Sequence, residues 1–349
     1  MQHSIVYRNE DSYCGPISNL VRIQNGEILL IFREAKWRGN ATHADPTTRM
    51  SLLRTRDDGE TWISQVSVDS QGGNGCAIMQ LSDGTLLANA YHWLFARTDK
   101  SEPLLGRPEY AKDERLNLVR AGGGIYMTHS TTDGYTWSVP KHIPELPEWP
   151  FMACHSPPIE LSKGGLLLPV TGQTTMESQH HGVVLRSHDG GHEWSDPVCI
   201  TADAPGEITF HETRLVLCPS GRIIAMHRTP RGNYWQNSSE DDGRTWSDSI
   251  ETPIWCGGSS PPDMKVLSDG RILLTRGYRR EPCGIRAYLS ENEGESWDVE
   301  NQIILRDDGP DRDVGYPSTV ELDDGRLLTV YYWHGEDQVR HLQKTVWAV

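Results

Sequence analysis

One eight-residue pattern, Ser/Thr-x-Asp-x-Gly-x-x-Trp, returns five times along the chain and narrows the fold more than any other feature. Its copies begin at Thr55, Ser130, Ser187, Ser239 and Ser290, a spacing of 51 to 75 residues. Asp57, Asp189 and Asp241 fill the acidic position, with Thr132 and Asn292 in its place in the second and fifth copies. The glycines are Gly59, Gly134, Gly191, Gly243 and Gly294, and the tryptophans Trp62, Trp137, Trp194, Trp246 and Trp297. The chemistry is that of a tight hairpin. Short oxygen-bearing side chains accept from nearby backbone N–H groups, glycine supplies a positive φ, and tryptophan anchors the turn in apolar surroundings.

A second unit recurs six times: an apolar strand, a glycine turn and another apolar strand. The turns are Asn25-Gly26, Asp83-Gly84, Lys163-Gly164, Ser220-Gly221, Asp269-Gly270 and Asp324-Gly325. Helical periodicity is weak throughout. Each unit reads as strand a, glycine turn, strand b, loop, strand c, repeat turn and strand d, which is one four-stranded blade. The expectation is an all-β, six-bladed β-propeller forming a single domain over residues 1–349. The sixth unit lacks the repeat turn and ends near residues 340–347. Its outer strand is expected from Ser4–Arg8, so that the N-terminal strand closes the ring and leaves no open edge. A long insertion in blade 2 spans about 95–124, with Pro103 and Pro108, and blade 1 has a long connection over 36–48.

The 349-residue chain is 36% hydrophobic and 23% charged, ordinary for a folded domain, and its formal net charge of -15 argues against a nucleic-acid partner. None of the seven cysteines forms a CxxC pair, so no zinc signature is present and reduced thiols are expected. No metal or cofactor is called for. No stretch of 18 apolar residues suggests a membrane span. Nor does a basic segment followed by an apolar run open the chain. The expected location is therefore the cytoplasm, or outside the cell with a leader removed.

In a propeller the innermost strands run along the axis, so their starts meet at one mouth of the channel. Those starts read Tyr13-Cys14-Gly15-Pro16, Asn74-Gly75-Cys76, Cys154-His155-Ser156-Pro157, Phe210-His211-Glu212-Thr213, Ser260-Pro261-Pro262-Asp263 and Gly315-Tyr316-Pro317-Ser318. The ends of the second strands join them with Arg33-Glu34, His227-Arg228, Arg276, Arg279-Arg280 and Trp333-His334, among others. The polar residues differ from blade to blade. That favours one asymmetric site over a repeated one.

These repeats (Asp boxes), the six blades and this rim resemble the sialidase, or neuraminidase, superfamily over essentially the whole chain. The resemblance implies a glycoside hydrolase acting on a terminal, acidic sugar with retention. It implies a Tyr nucleophile activated by a Glu, an Asp acid/base and three substrate-binding arginines. Tyr316 matches the nucleophile and Glu212 its activator, each nine residues before a turn glycine. Asp45 matches the acid/base. Arg228 matches the second arginine, and Arg280 the third, with Arg276 and Arg286 as rivals. His155, His211 and Asp263 are further candidates for substrate contact. Blade 1 departs from the family: Tyr13-Cys14-Gly15-Pro16 stands where aromatic-Arg-Ile-Pro is expected. Arg33 or Arg38 would be the replacement. Two other readings stay open, a polysaccharide lyase or His-based glycosidase on the same propeller, and a non-catalytic glycan-binding propeller.

Overall fold

The computed structural model describes residues 1–39, 44–70, 73–100, 109–114, 116–175, 177–258 and 260–349. Six antiparallel sheets form the six blades, and one short 3-10 turn, Thr98–Lys100, is the helical content of the described residues. Blade 1 is Ser12–Arg22, Ile28–Lys36, Arg49–Thr55 and Ile63–Asp69. Blade 2 is Gly73–Gln80, Leu86–Arg97, Leu118–Ser130 and Lys141–Ile143. Blade 4 is His211–Leu217, Ile223–Arg228, Asn233–Ser239 and Ile250–Trp255. Blade 5 is Asp263–Val266, Ile272–Tyr278, Cys283–Ser290 and Ile303–Gly309. Blade 6 is Gly315–Glu321, Leu327–Trp333 and His341–Trp347, with Gln2–Tyr7 as its outer strand. That strand pairs Gln2 with Val346 and Ser4 with Lys344, so the N-terminal strand closes the ring as expected.

Two local features differ from expectation. In blade 3 the innermost strand is split into Phe151–Ala153 and Ile159–Glu160, both paired with Leu166–Gln173. Pro157 and Pro158 stand in the gap, where neither has an N–H to donate to the ladder. The blade 2 insertion is shorter than 95–124. Strands b and c run into it as one long hairpin pairing Arg97 with Leu118, and Glu109–Asp113 adds a further strand beside Leu118–Ser130. Residues 101–108, including Pro103 and Pro108, and residues 40–43 of the blade 1 connection lie outside the described residues.

The five repeat turns work as the sequence chemistry suggests, and they also join blades. In each, the first hydroxyl accepts from the glycine N–H, as in Thr55 Oγ1 with Gly59 N at 2.9 Å and Ser187 Oγ with Gly191 N at 2.9 Å. The acidic position accepts from the N–H four residues on. Thr132 Oγ1 and Asn292 Oδ1 do this at 2.9 Å as Asp57 does, so an acceptor oxygen is needed and a charge is not. Each turn glycine abuts strand b of the preceding blade. Gly134 faces Leu29, Gly191 faces Leu87, Gly243 faces Leu167, Gly294 faces Ile224, and Gly59 closes the circle against Leu328. Blade 6 has no such turn. Trp347 from its last strand packs instead in a cluster that includes Leu273 of blade 5.

Polar ties also link the innermost strands of neighbouring blades. Asn19 reaches Ser318 on one side and accepts from Ile78 N on the other. Asp263 binds Arg214 at 2.8 Å and accepts from Thr319 N at 2.8 Å. The seven cysteines are free.

Candidate active site

The innermost strands of blades 4 and 6 do not pair regularly at their starts. The register slips between His211 and Arg214 in blade 4 and between Gly315 and Ser318 in blade 6. Such bulges re-aim a side chain. At these bulges Glu212 has φ +46° and Tyr316 φ +50°, left-handed values that side-chain-bearing residues avoid. A hydroxyl from the adjoining blade holds each backbone. Thr171 Oγ1 accepts from Glu212 N at 3.1 Å, and Ser18 Oγ donates to Tyr316 O at 3.2 Å. Strained backbone held in place by its surroundings is a mark of functional positions.

The two bulges bring their side chains together. The Tyr316 hydroxyl donates to Glu212 Oε1 at 2.7 Å. One nitrogen of Arg228, Nη1, donates to Glu212 Oε2 and to the Tyr316 oxygen. His155 Nε2 stands 3.9 Å from Glu212 Oε1, while its buried Nδ1 has no hydrogen-bond partner among the described residues. Burial alone would raise the Glu212 pKa, but the charge of Arg228, His155 and the hydrogen bonds from Arg228 and Tyr316 hold it at about 2. Burial and the Glu212 charge push Tyr316 well above the usual phenol value, against the opposing pull of Arg228 and Arg279. The resting pair is therefore a neutral phenol bonded to a carboxylate. The Glu212 carboxylate is within hydrogen-bond reach of the phenol proton, and Arg228 Nη1 contacts an oxygen of each.

The other residues singled out in the sequence are placed as follows. His211 lies beside the pair with its Nδ1 2.9 Å from His180 Nδ1, and burial with His180 lowers it to about 4. Asp263 is in the wall of innermost strands, with Arg214 and Thr319 as partners. Asp45 is fully buried in blade 1, bonded to Arg38 Nε at 2.5 Å and to Thr47 Oγ1 at 2.6 Å. Burial would raise its pKa, but these bonds outweigh it and keep Asp45 below the ordinary carboxylate range. Arg33 is turned to the interior rather than to solvent. It is fully buried, donating to Gly15 O and Thr48 Oγ1 and facing the Tyr13 ring. Arg276 is also internal, enclosed by Tyr234, Trp255, Tyr278 and Tyr288. Arg280 is exposed and stacks on Trp255 at 3.7 Å. Arg286 donates to backbone carbonyls, among them Pro282 O at 3.3 Å.

The blade 5 arginine at the pair is instead Arg279, 5.7 Å from the Tyr316 ring centroid. Strand alternation carried the signal. Arg276 and Tyr278 share one face of Ile272–Tyr278 and Gly277 takes the other, with Arg279 following just past the strand's end. The Gly277 face lies against Gly315 and Val314 at the start of blade 6. Among the described residues no group of three His, Cys, Asp or Glu side chains is placed to hold a metal ion. No helix among the described residues is long and apolar enough to cross a membrane.

Comparison with known proteins agrees with this architecture. No curated protein matches the sequence. Among solved structures, a Dyadobacter fermentans protein of unknown function is similar with a TM-score of 0.88 and 26% identity, covering 99% of this chain and 98% of that one. An intramolecular trans-sialidase from Ruminococcus gnavus, in complex with oseltamivir carboxylate, has a TM-score of 0.70 at 14% identity over 99% of this chain and 96% of its own. The α-L-arabinofuranosidase Arb93A of Fusarium graminearum has a TM-score of 0.63 at 13% identity, over 97% and 94%. At those identities the likeness to the two enzymes is one of fold. The profile of the BNR repeat-like domain matches residues 114–329, more than half of the chain, and the protein belongs to the BNR repeat-like family.

Proposed function

We propose that this propeller is a retaining exo-glycosidase for an acidic terminal sugar, with Tyr316 as nucleophile and Glu212 as its base. The observation that carries this reading is the Tyr316–Glu212 hydrogen bond of 2.7 Å, made between two strained residues and capped by Arg228. In the first step the Tyr316 oxygen bonds to the anomeric carbon, its proton passes to Glu212, and the glycosidic C–O bond breaks. The leaving oxygen takes a proton from an acid, for which Asp45 is the candidate once released from Arg38. In the second step water attacks the same carbon and gives a proton to the acid's conjugate base, the bond to Tyr316 breaks, and Glu212 returns its proton to the phenolate. A neutral nucleophile suits an anomeric carbon that bears or adjoins a carboxylate, because an attacking carboxylate would meet like charge. Arg228 and Arg279 would face that anion. The sialidase and arabinofuranosidase on the same fold agree with a glycan substrate.

The test is a panel of 4-methylumbelliferyl glycosides, sialosides and uronides included, on the purified chain and on Tyr316→Phe. Turnover by the wild type and a loss of at least about a thousandfold in the variant are expected, the scale seen when a member of a nucleophile–base unit is removed. Equal turnover by both proteins would exclude the mechanism.

A further inference from the structure

We propose that Tyr332 and Asp313 are positioning residues that fix Arg279 over Tyr316 and fill the blade 1 side of the site. The proposal deepens the reading above and rests on Tyr316 as the reacting group. Near the start of the innermost strand of blade 1, Gly15 has φ +123°, and a Cβ added there would lie 2.9 Å from Tyr332 Cγ. The corner where blade 1 would present a side chain is thus occupied by a ring from blade 6. That ring is buried, 5.9 Å from the Tyr316 ring.

The polar end of Tyr332 explains why a tyrosine stands there. Arg279 Nη2 donates to its hydroxyl oxygen at 2.8 Å. Because a guanidinium only donates, the Tyr332 O–H is turned to Asp313 Oδ1, 2.9 Å away. Asp313 Oδ2 in turn accepts from Arg340 Nε at 2.9 Å, with Arg340 Nη2 at 2.8 Å, and Arg279 Nε donates to Val314 O at 3.1 Å. A carboxylate directly on Arg279 would neutralise it. Here Asp313 is neutralised by Arg340, and Arg279 is held through a neutral hydroxyl and a carbonyl. Among the described residues no carboxylate lies within ion-pair distance of Arg279, so its charge remains for a bound anion. Arg340 leads into His341–Trp347, the strand that Gln2–Tyr7 covers. Ring closure and site therefore share one network.

Tyr332→Phe keeps the ring over Gly15 and removes only the hydroxyl. The crystal structure of the full-length variant should show the Arg279 guanidinium shifted away from Tyr316, with the Tyr316–Glu212–Arg228 contacts unchanged. On any 4-methylumbelliferyl glycoside the wild type turns over, KM should rise about tenfold, the scale of one charge-assisted hydrogen bond, with kcat within about threefold. Asp313→Asn, a second variant should the first fold poorly, should move both readouts in the same direction. An Arg279 that stays in place, or an unchanged KM, overturns the proposal. If the wild type turns over no glycoside, the reading of Tyr316 fails by itself, and the position of Arg279 in the variant still decides whether Tyr332 holds it.

Discussion

Tyr316 and Glu212 are 104 positions apart in sequence, share a 2.7 Å hydrogen bond, and each adopts a left-handed backbone, φ +50° and +46°. Stability and activity should therefore separate in their variants. Tyr316→Phe leaves Glu212 on Arg228, and its melting temperature should stay within a few degrees of wild type. Glu212→Gln leaves the partly buried Arg228 without its counter-ion, a loss of up to about 3–5 kcal/mol. Thermal melts of the two variants side by side check this. A Glu212→Gln protein as stable as Tyr316→Phe would mean that the ion pair adds little.

Acid should destabilise the protein in two stages. Burial lowers His211 and His227 to about 4, from 6.5. Between those values the unfolded chain binds protons that the folded chain refuses. Their contribution is full above about pH 6.5 and declines as pH falls toward 4. Glu212, at about 2 rather than 4.5, contributes above pH 4.5 and loses that contribution as pH falls toward 2. Melting temperature measured from pH 7.5 to 3 should fall throughout the range below 6.5. His211→Asn should flatten the first stage by about one proton and leave the second in place. The same slope in both proteins would remove His211 from this account.

Architecture was legible in the sequence because it rests on short-range rules. Gly59 and Asp57 act within their own turn, and the glycine turns with their flanking apolar strands count the blades. The Tyr316–Glu212 pair was legible through the family resemblance, which their equal spacing to Gly325 and Gly221 mapped onto this chain. The arginines were not. Arg33, Arg276, Arg279 and Arg280 all stand at the ends of second strands, and which one meets Tyr316 depends on strand face and on the neighbouring blade. Arg276 is drawn into an aromatic cage, Arg33 to the carbonyl of Gly15, and Arg279 to Val314 O. The split at Pro157–Pro158 was readable in principle, since two consecutive residues without N–H groups cannot sustain a ladder. The missing blade 1 arginine became intelligible only with Tyr332 seen against Gly15, a contact across blades.

The repeat glycines should differ from the hairpin glycines in what they tolerate. Gly243 has φ +76°, and an added Cβ would lie 2.5 Å from Leu167 Cδ1 of the preceding blade. Gly270 has φ +90° with nothing within 4 Å of such a Cβ. Gly270→Ala meets backbone strain alone, about 1–2 kcal/mol. Gly243→Ala adds an overpacked blade contact, for about 2–4 kcal/mol in all. Denaturant midpoints would show it, and equal losses in the two variants would mean that the turn does not bear on the neighbouring blade.

Asp45 and Arg38 decide how the leaving group gets its proton. Asp45 is buried, and the hydrogen bonds from Arg38 and Thr47 keep it ionised at neutral pH, the wrong state for an acid. If Asp45 serves as the acid, substrate must displace Arg38 and let the carboxyl pKa rise. Arg38→Gln removes the charged partner beforehand. The basic limb of the pH–rate profile, which reports the loss of the acid's proton, should move to higher pH in that variant. Asp45→Asn should lose most activity on a glycoside with an alkyl leaving group. It should lose little on a nitrophenyl one, whose leaving group departs without protonation. A uniform loss on both substrates would assign Asp45 to holding the blade 1 loop and would leave the acid to be found elsewhere, with His155, 3.9 Å from Glu212, the first residue to replace.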